Sequence, residues 1–186
     1  MIAWEVIDTF TRSDVLERAR AEVTEAMDST LETPLGLQFG KLLSKPLLQS
    51  IFAEETRIRN AIMVQRVPMV DNFTLGSFKF PKGKMIVASC WHDQRDRSIW
   101  NEGPVNGVFH PVDDFWADRF LIYPNDPMSG PRKPSTSRKV KSASTAHKAE
   151  KNEPQFTTEP VTGSYFPFGG GKLVISHVHY SIKHSI

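Results

Sequence analysis

Within the first sixty residues, apolar positions occur at helical spacing in segments separated by a break at residues 11–14 and by a connecting loop, with a short turn of helix, over residues 31–45. Residues 1–10 are interpreted as the end of a helix that has no N-cap of its own, and Ser13 is a candidate N-cap for the next helix, over 14–27. That second helix carries apolar residues at helical spacing: Val15, Leu16, Ala19, Val23 and Ala26. A further helix is predicted to include residues 49–59, and Pro46 suits its first turn, where a backbone N–H is not needed.

After residue 60 the pattern changes to short apolar runs separated by turn-type residues. The runs are residues 61–67, 73–75, 78–80 and 84–89. The links between them are rich in Asp, Asn, Gly, Ser and Pro, which is typical of tight turns. The pattern therefore predicts a small sheet of hairpins beside the helices, and a fold class that is mainly α with a small β-sheet (α+β).

Residues 126–162 form a stretch rich in Pro, Ser, Thr and Lys, with almost no large apolar side chain. Such a stretch cannot bury enough apolar surface to offset the entropy of ordering, so we predict a disordered surface insertion that proteases cut between Pro131 and Pro154. Its basic residues leave a basic interaction module open as an alternative: Arg132, Lys133, Arg138, Lys139, Lys141, Lys148 and Lys151.

The composition disfavours three classes of protein: nucleic-acid binders, membrane-spanning proteins and disulfide-rich proteins. The net charge of the 186 residues is +2, with both signs spread along the chain, which makes a dedicated nucleic-acid binder an unfavourable interpretation. No apolar run approaches the ~20 residues of a membrane span. A single cysteine, Cys90, excludes an internal disulfide framework and fits a reducing compartment.

The first candidate for chemistry is a carboxylate and a guanidinium one helical turn apart, Glu54 and Arg57. An exposed pair at this spacing is worth only about 0.3 kcal/mol and is the usual arrangement. Here the neighbouring residues are apolar, which leaves open a buried pair: Ile51, Phe52, Ala53 and Ile58. A buried arginine offers more donors than one carboxylate accepts, so a buried pair would need a third partner.

Two later segments supply a context for this pair. Residues 115–120 read FWADRF, and residues 165–172 read YFPFGGGK. Together with the ExxR pattern of residues 54–57, these segments resemble, in this order, the C-terminal part of a cytochrome P450, a haem-thiolate monooxygenase, of the fungal type. The resemblance implies a partial cytochrome P450 domain over residues 1–172.

The resemblance also implies roles for individual residues. Glu54, Arg57 and Arg119 would form a structural triad that holds the haem loop against the core. Arg66 would pair with a haem propionate, because guanidinium and carboxylate groups pair bidentately; the alternative is an exposed strand arginine. The residues expected to bind the cofactor are Arg66, Phe168, Gly169 and Gly171. No catalytic residue is predicted in this chain.

The chain departs from the family pattern after residue 172. The axial cysteine is expected at the position of Ile175, and isoleucine cannot ligate iron. Cys90 lies upstream and is interpreted as a small buried thiol. The histidines of the tail do not have the spacing of a metal site: His177, His179 and His184. We therefore predict no metal ligand, and interpret residues 173–186 as a non-family tail translated from an intron.

The resemblance implies haem as cofactor, O₂-dependent oxidation of an organic substrate, and a place in secondary metabolism. It also implies an NADPH-dependent reductase as electron donor and a small lipophilic substrate. Full-length relatives typically lie at the endoplasmic reticulum membrane, with the catalytic domain facing the cytosol. Because the axial thiolate is missing and the oxygen-activating helix is expected before Met1, the chain as it stands is predicted to be truncated and inactive. The alternative is a non-catalytic remnant or a basic interaction module.

Overall fold

The computed structural model describes residues 2–27, 36–104, 107–134 and 153–168. Five helices lie in these ranges: α1 Ile2–Phe10, α2 Ser13–Glu25, α3 Phe39–Leu43, α4 Pro46–Arg59 and α5 Cys90–Asp93. The strands are β1 Met63–Arg66, β2 Phe73–Leu75, β3 Phe78–Phe80, β4 Ile86–Ser89, β5 Leu121–Ile122 and β6 Gln155–Phe156. A short 3₁₀ helix covers Glu159–Val161. This part of the chain is mainly helical with small antiparallel sheets, which confirms the predicted fold class.

Helix α4 is the central element, because it packs against α1, α2 and α3 and also against β5 and β6. Pro46 occupies its first turn, as predicted, and Lys45 before it is extended. Its buried residues occur on nearly every side of the helix: Leu47, Ser50, Ile51, Ala53, Glu54, Glu55, Thr56, Arg57 and Ile58. Charged side chains of α4 are therefore buried together with its apolar ones.

The predicted N-cap of α2 is wrong. Arg12 is the N-cap residue, without a side-chain capping bond, and Ser13 is the first helical residue. The helix begins one residue earlier because the amide of Leu16 donates to the carbonyl of Arg12 at 2.9 Å. Val15 and Ala19, two residues of the predicted apolar stripe, are buried.

The predicted hairpin region is present, although its strands form separate ladders. Strand β1 pairs with β4, and β2 pairs with β3, both antiparallel. At the link before β2, Asn72 has a φ of 56°, a left-handed conformation that asparagine tolerates better than most residues. A third ladder joins β5 to β6. Its strands have two residues each, too short to produce a periodic sequence pattern.

Two apolar clusters flank α4. The first combines residues of α2, α4 and the segment around β5: Val15, Ala19, Leu47, Ile51, Ile58, Phe115, Ala117 and Leu121. The second combines Ala53, Trp100, Val112, Phe120 and Val161. Helix α4 thus joins the helical part of the core to the segments that follow the hairpins. Within the described ranges, no helix has the length and apolar character needed to cross a bilayer.

The predicted disordered insertion at residues 126–162 needs correction at both ends. The side-chain amide of Asn101 donates to the carbonyl of Gly130 at 2.8 Å, which packs the first flank. At the second flank β6 pairs with β5, and Val161 has an exposed fraction of 0%. Short polar segments can be held by backbone bonds to a neighbouring core, which composition alone does not reveal. The remaining prediction concerns residues 135–152, which lie outside the described residues.

Candidate functional site

Glu54, Arg57 and Arg119 meet in the interior beside α4, and each has an exposed side-chain fraction of 0%. Arg57 binds the carboxylate with two donors: Nε lies 2.7 Å from Oε2 and Nη2 lies 2.8 Å from Oε1. Arg119 donates from Nε to Oε1 at 2.9 Å. One carboxylate therefore receives two guanidinium groups from segments that are far apart in sequence.

The remaining donors of the two arginines bind backbone carbonyls. Arg57 Nη1 donates to the carbonyl of Gln94 at 2.6 Å. Arg119 Nη2 donates to the carbonyl of Pro111 at 3.0 Å, and its Nη1 donates to the carbonyl of Asn101. These contacts supply the third partner that a buried arginine requires. They also fix the loops around residues 94, 101 and 111 relative to α4.

The electrostatics of this cluster favour an ionised carboxylate. Burial raises the pKa of Glu54, but the charges and hydrogen bonds of Arg119 and Arg57 outweigh it and lower the pKa below its usual value. Each guanidinium also lies over an indole ring. The distances to the ring centroids are 5.1 Å for Arg57 over Trp100 and 5.1 Å for Arg119 over Trp116.

Helix α4 also holds the segment that leads into the glycine run. The Thr56 hydroxyl lies 2.6 Å from the Tyr165 hydroxyl, which also donates to the carbonyl of Ala53 at 3.1 Å. Phe52 stacks on Phe168 with a centroid separation of 6.5 Å. At the end of the helix, the Asn60 side chain donates to the carbonyl of Pro167. One helix thus contacts both the arginine-bearing loop and residues 165–168.

The structure describes two of the four predicted cofactor-binding residues, Arg66 and Phe168. Arg66 is exposed on β1, and its Nη1 donates to the carbonyl of Gln65 at 2.8 Å. Phe168 packs on α4. Gly169 and Gly171 lie outside the described residues, as do Ile175 and the rest of the predicted non-family tail.

Two buried residues of the site, Gln94 and Ser50, were not predicted from the sequence. Gln94 is fully buried; with its amide nitrogen turned toward α4, it donates to the carbonyls of Arg57 at 2.9 Å and Asn60 at 3.0 Å. Ser50 donates to the carbonyl of Ala117 at 2.5 Å and accepts from the amide of Phe120 at 3.2 Å. Their partners are backbone atoms, which every residue carries, so no pattern of side chains marks them.

The donor atoms of the described residues do not fit a thiolate-ligated haem. Cys90 is the sole cysteine of the chain, has an exposed fraction of 3%, and points its thiol toward the carbonyl of Asn60 at 3.7 Å. Burial raises the pKa of this thiol, which disfavours the thiolate that iron would require. Among the residues described, no group of three His, Cys, Asp or Glu side chains is arranged to hold a metal ion.

The chain is similar to two fungal proteins. It is 40% identical over 130 residues to cytochrome P450 monooxygenase efuG of Hormonema carpetanum, covering 70% of this chain and 22% of that protein. It is 36% identical over 181 residues to cytochrome P450 monooxygenase fsoE of Humicola fuscoatra, covering 96% of this chain and 30% of that protein. The chain therefore spans less than a third of the length of these relatives. No protein-family model matches it.

A solved structure shares the fold. A zebra fish cytochrome P450, solved with progesterone, superposes with a TM-score of 0.54 and 19% identity, over 93% of this chain and 29% of that chain. The structural likeness supports the fold, and the fungal relatives support the family. The chain therefore belongs to the cytochrome P450 family.

Proposed function

We propose that this chain is the bracing part of a haem-dependent monooxygenase that oxidises an organic substrate with O₂. The observation that carries the proposal is the contact set of α4. The helix binds Arg119 through Glu54, and it binds residues 165–168 through Thr56, Phe52 and Asn60. In this proposal the helix sets the position of the glycine run that follows, and the buried ion pairs keep the helix in place.

In this proposal, individual residues either stabilise the core or contact the haem. Glu54, Arg57 and Arg119 hold the core. Phe168, Gly169 and Gly171 shape the haem loop, and Arg66 pairs with a propionate. The support for this role is chemical, because a guanidinium pairs bidentately with a carboxylate. The family further supports an NADPH-dependent reductase as electron donor and a small lipophilic substrate.

We infer as a second candidate that the 186-residue polypeptide is a non-catalytic remnant. The supporting observation is the place of its only thiol: Cys90 is buried and hydrogen bonded to the carbonyl of Asn60. The position expected for the axial ligand holds Ile175, which has no donor atom. Under this candidate the chain keeps the braced core without forming a haem-thiolate centre.

Of the seven basic residues behind the alternative of a basic interaction module, the structure describes Arg132 and Lys133; the other five lie outside the described residues. Arg132 donates to the carbonyl of Pro160 at 3.0 Å, and Lys133 donates to the carbonyl of Arg97 at 3.2 Å. These two cations contribute to packing of the chain on itself.

The experiment is haem reconstitution followed by reduction and exposure to carbon monoxide. We expect no thiolate-haem Soret band from the 186-residue chain, because that band requires a cysteine thiolate on iron. The variant Ile175→Cys supplies a thiol at the expected position, and we expect a weak band from it. Ser176→Cys is the matched control, with the same new thiol one residue away, and we expect no band.

A strong thiolate band from the unmodified chain would overturn the remnant candidate. Cys90→Ser would then show whether that thiol is the ligand. If Ile175→Cys and Ser176→Cys behaved alike, the alignment of residue 175 with the axial position would be wrong.

A further inference from the structure

Glu55, the neighbour of Glu54 in α4, is buried in a different way. Its exposed fraction is 0%, and neither of its carboxyl oxygens has a hydrogen-bond partner among the described residues. An ionised carboxylate without donors is costly in the interior, and buried polar atoms without partners are rare. The structure therefore calls for an explanation that does not require a bare carboxylate.

A second buried carboxyl group, Asp8 of α1, belongs to the same cluster. It has an exposed fraction of 7% and accepts from Arg59 Nη2 at 2.7 Å and from Arg12 Nη1 at 2.7 Å. Arg59 Nε lies 3.5 Å from Glu55 Oε2, so a single guanidinium is shared between the two carboxyl groups. Arg59 also lies over the ring of Trp4, 4.4 Å from its centroid, which adds another link to α1.

The charges facing Glu55 come from both helices. On α1 the facing group is Asp8, which Arg12 also binds; on α4 the facing groups are Arg59 and Glu54. Two carboxylates act against ionisation of Glu55, and Arg59 favours it only through a long contact. When the two carboxyl groups of a buried pair compete, one of them keeps a proton.

We propose that Glu55 and Asp8 form a buried acid pair that holds one proton at neutral pH, and that this proton keeps helix α1 docked on helix α4. The proton resides on Glu55, because both donors of Asp8 stabilise its ionised form at hydrogen-bonding distance. A protonated Glu55 has one O–H donor, and the Asp8 carboxylate retains acceptor capacity beyond its two arginine bonds. Loss of the proton leaves two buried negative charges facing each other across the helix contact.

Electrostatics supports this assignment. Burial and the neighbouring Asp8 raise the pKa of Glu55 to about 8. Burial opposes ionisation of Asp8, but the hydrogen bonds from Arg59 and Arg12 lower its pKa. A cleft of about 420 Å³, lined in part by Asp8, Arg12 and Arg59, gives water access to the edge of the pair.

The test is the pH dependence of stability of the full chain, measured by urea unfolding. An unfolded Glu55 loses its proton near pH 4.5 and the folded one near pH 8, so the folded state binds more protons in this interval. Stability should therefore fall as pH rises from 4.5 to 8, and this contribution should be flat above 8. Glu55→Gln should remove this fall, because the amide can donate to Asp8 at every pH. Glu17→Gln, on the exposed side of α2, is the matched control and should keep the fall.

Three further measurements keep the proposal testable if Glu55→Gln does not fold. Asp8→Asn removes the facing charge from the other helix, and it should shift the fall to a lower pH. In the unmodified chain, the infrared spectrum at pH 7 should contain the carbonyl band of a protonated carboxylic acid. Hydrogen exchange, corrected for intrinsic rates, should show α1 opening more readily at pH 9 than at pH 6.

Absence of the protonated-acid band at pH 7 would overturn the proposal. A fall in stability that is the same in Glu55→Gln, Asp8→Asn and Glu17→Gln would also overturn it. None of these readouts depends on haem, so their outcome is independent of the proposed function.

Discussion

Adjacent glutamates in α4 reach opposite electrostatic states under the same degree of burial. Glu54 receives three guanidinium donors and the amide of Trp116, and its pKa is lowered. Glu55 has no hydrogen-bond partner in the described part of the chain, and its pKa is raised. Burial therefore does not decide the charge of a carboxyl group; the donors that the fold places around it do.

The triad carries a clear prediction at this scale. Glu54→Ala should lower the free energy of unfolding by about 3 kcal/mol, because Arg57 and Arg119 would remain buried without their carboxylate. Urea unfolding at pH 7 measures the effect. Glu17→Ala, an exposed glutamate on α2, is the control and should change stability by less than about 0.5 kcal/mol. Equal effects of the two substitutions would show that the buried ion pairs of Glu54 do not contribute to the free energy of unfolding.

Sequence reasoning found Glu54 and Arg57 because their spacing puts them on one helical face, and found Arg119 through the family resemblance. It could not find the carbonyls of Gln94, Asn101 and Pro111, which accept the remaining arginine donors. A carbonyl belongs to every residue, so only the path of the chain decides which one faces a guanidinium.

At the scale of elements, the sequence predicted that α4 is a helix, but it did not predict which other elements α4 contacts. Its apolar positions and Pro46 indicated a helix. The β2–β3 hairpin was equally readable, because Gly76 and Ser77 separate its two apolar runs. The pairing of β1 with β4 was not, because β2 and β3 lie between these two strands in the sequence. The β5–β6 ladder pairs segments more than thirty residues apart, and no local pattern encodes such a pairing. For the same reason Val161 was assigned to a disordered insertion although it lies in the core.

The contact between α4 and residues 165–168 can be tested with one hydroxyl. Thr56→Val keeps the shape of the side chain and removes its bond to Tyr165, so stability should fall by about 1 kcal/mol. The backbone amides of Tyr165, Phe166 and Phe168 should exchange faster with solvent than in the unmodified chain. Thr74→Val, on the exposed strand β2, is the control and should leave these amides unchanged. Unaltered exchange in Thr56→Val would show that Phe168 and Asn60 suffice to hold the segment.

At the scale of the whole molecule, Glu54 and Glu55 make the free energy of unfolding depend on pH in opposite directions. The lowered pKa of Glu54 means that its contribution is present above the unfolded value of 4.5 and is lost as pH falls through the folded value. We therefore expect stability to fall on acidification below the unfolded value of 4.5, while the contribution of Glu55 changes above that value. Urea midpoints between pH 2 and 5 measure this fall, and Glu54→Gln should flatten it. A fall of the same slope in that variant would assign it to other carboxyl groups.

The residues that flank residues 135–152 contact each other, and this affects how the length of the chain can vary over evolution. Arg132 donates to the carbonyl of Pro160, and β5 pairs with β6. The chain before this segment is therefore bound directly to the chain after it. The entropy of closing a loop grows slowly, by about 0.6 kcal/mol for each doubling of its length. Given the disorder predicted for this segment from its composition, insertions and deletions between Pro134 and Glu153 are expected to carry a small energetic penalty. Homologous genes can be expected to drift in length here sooner than at any link bound by the arginines.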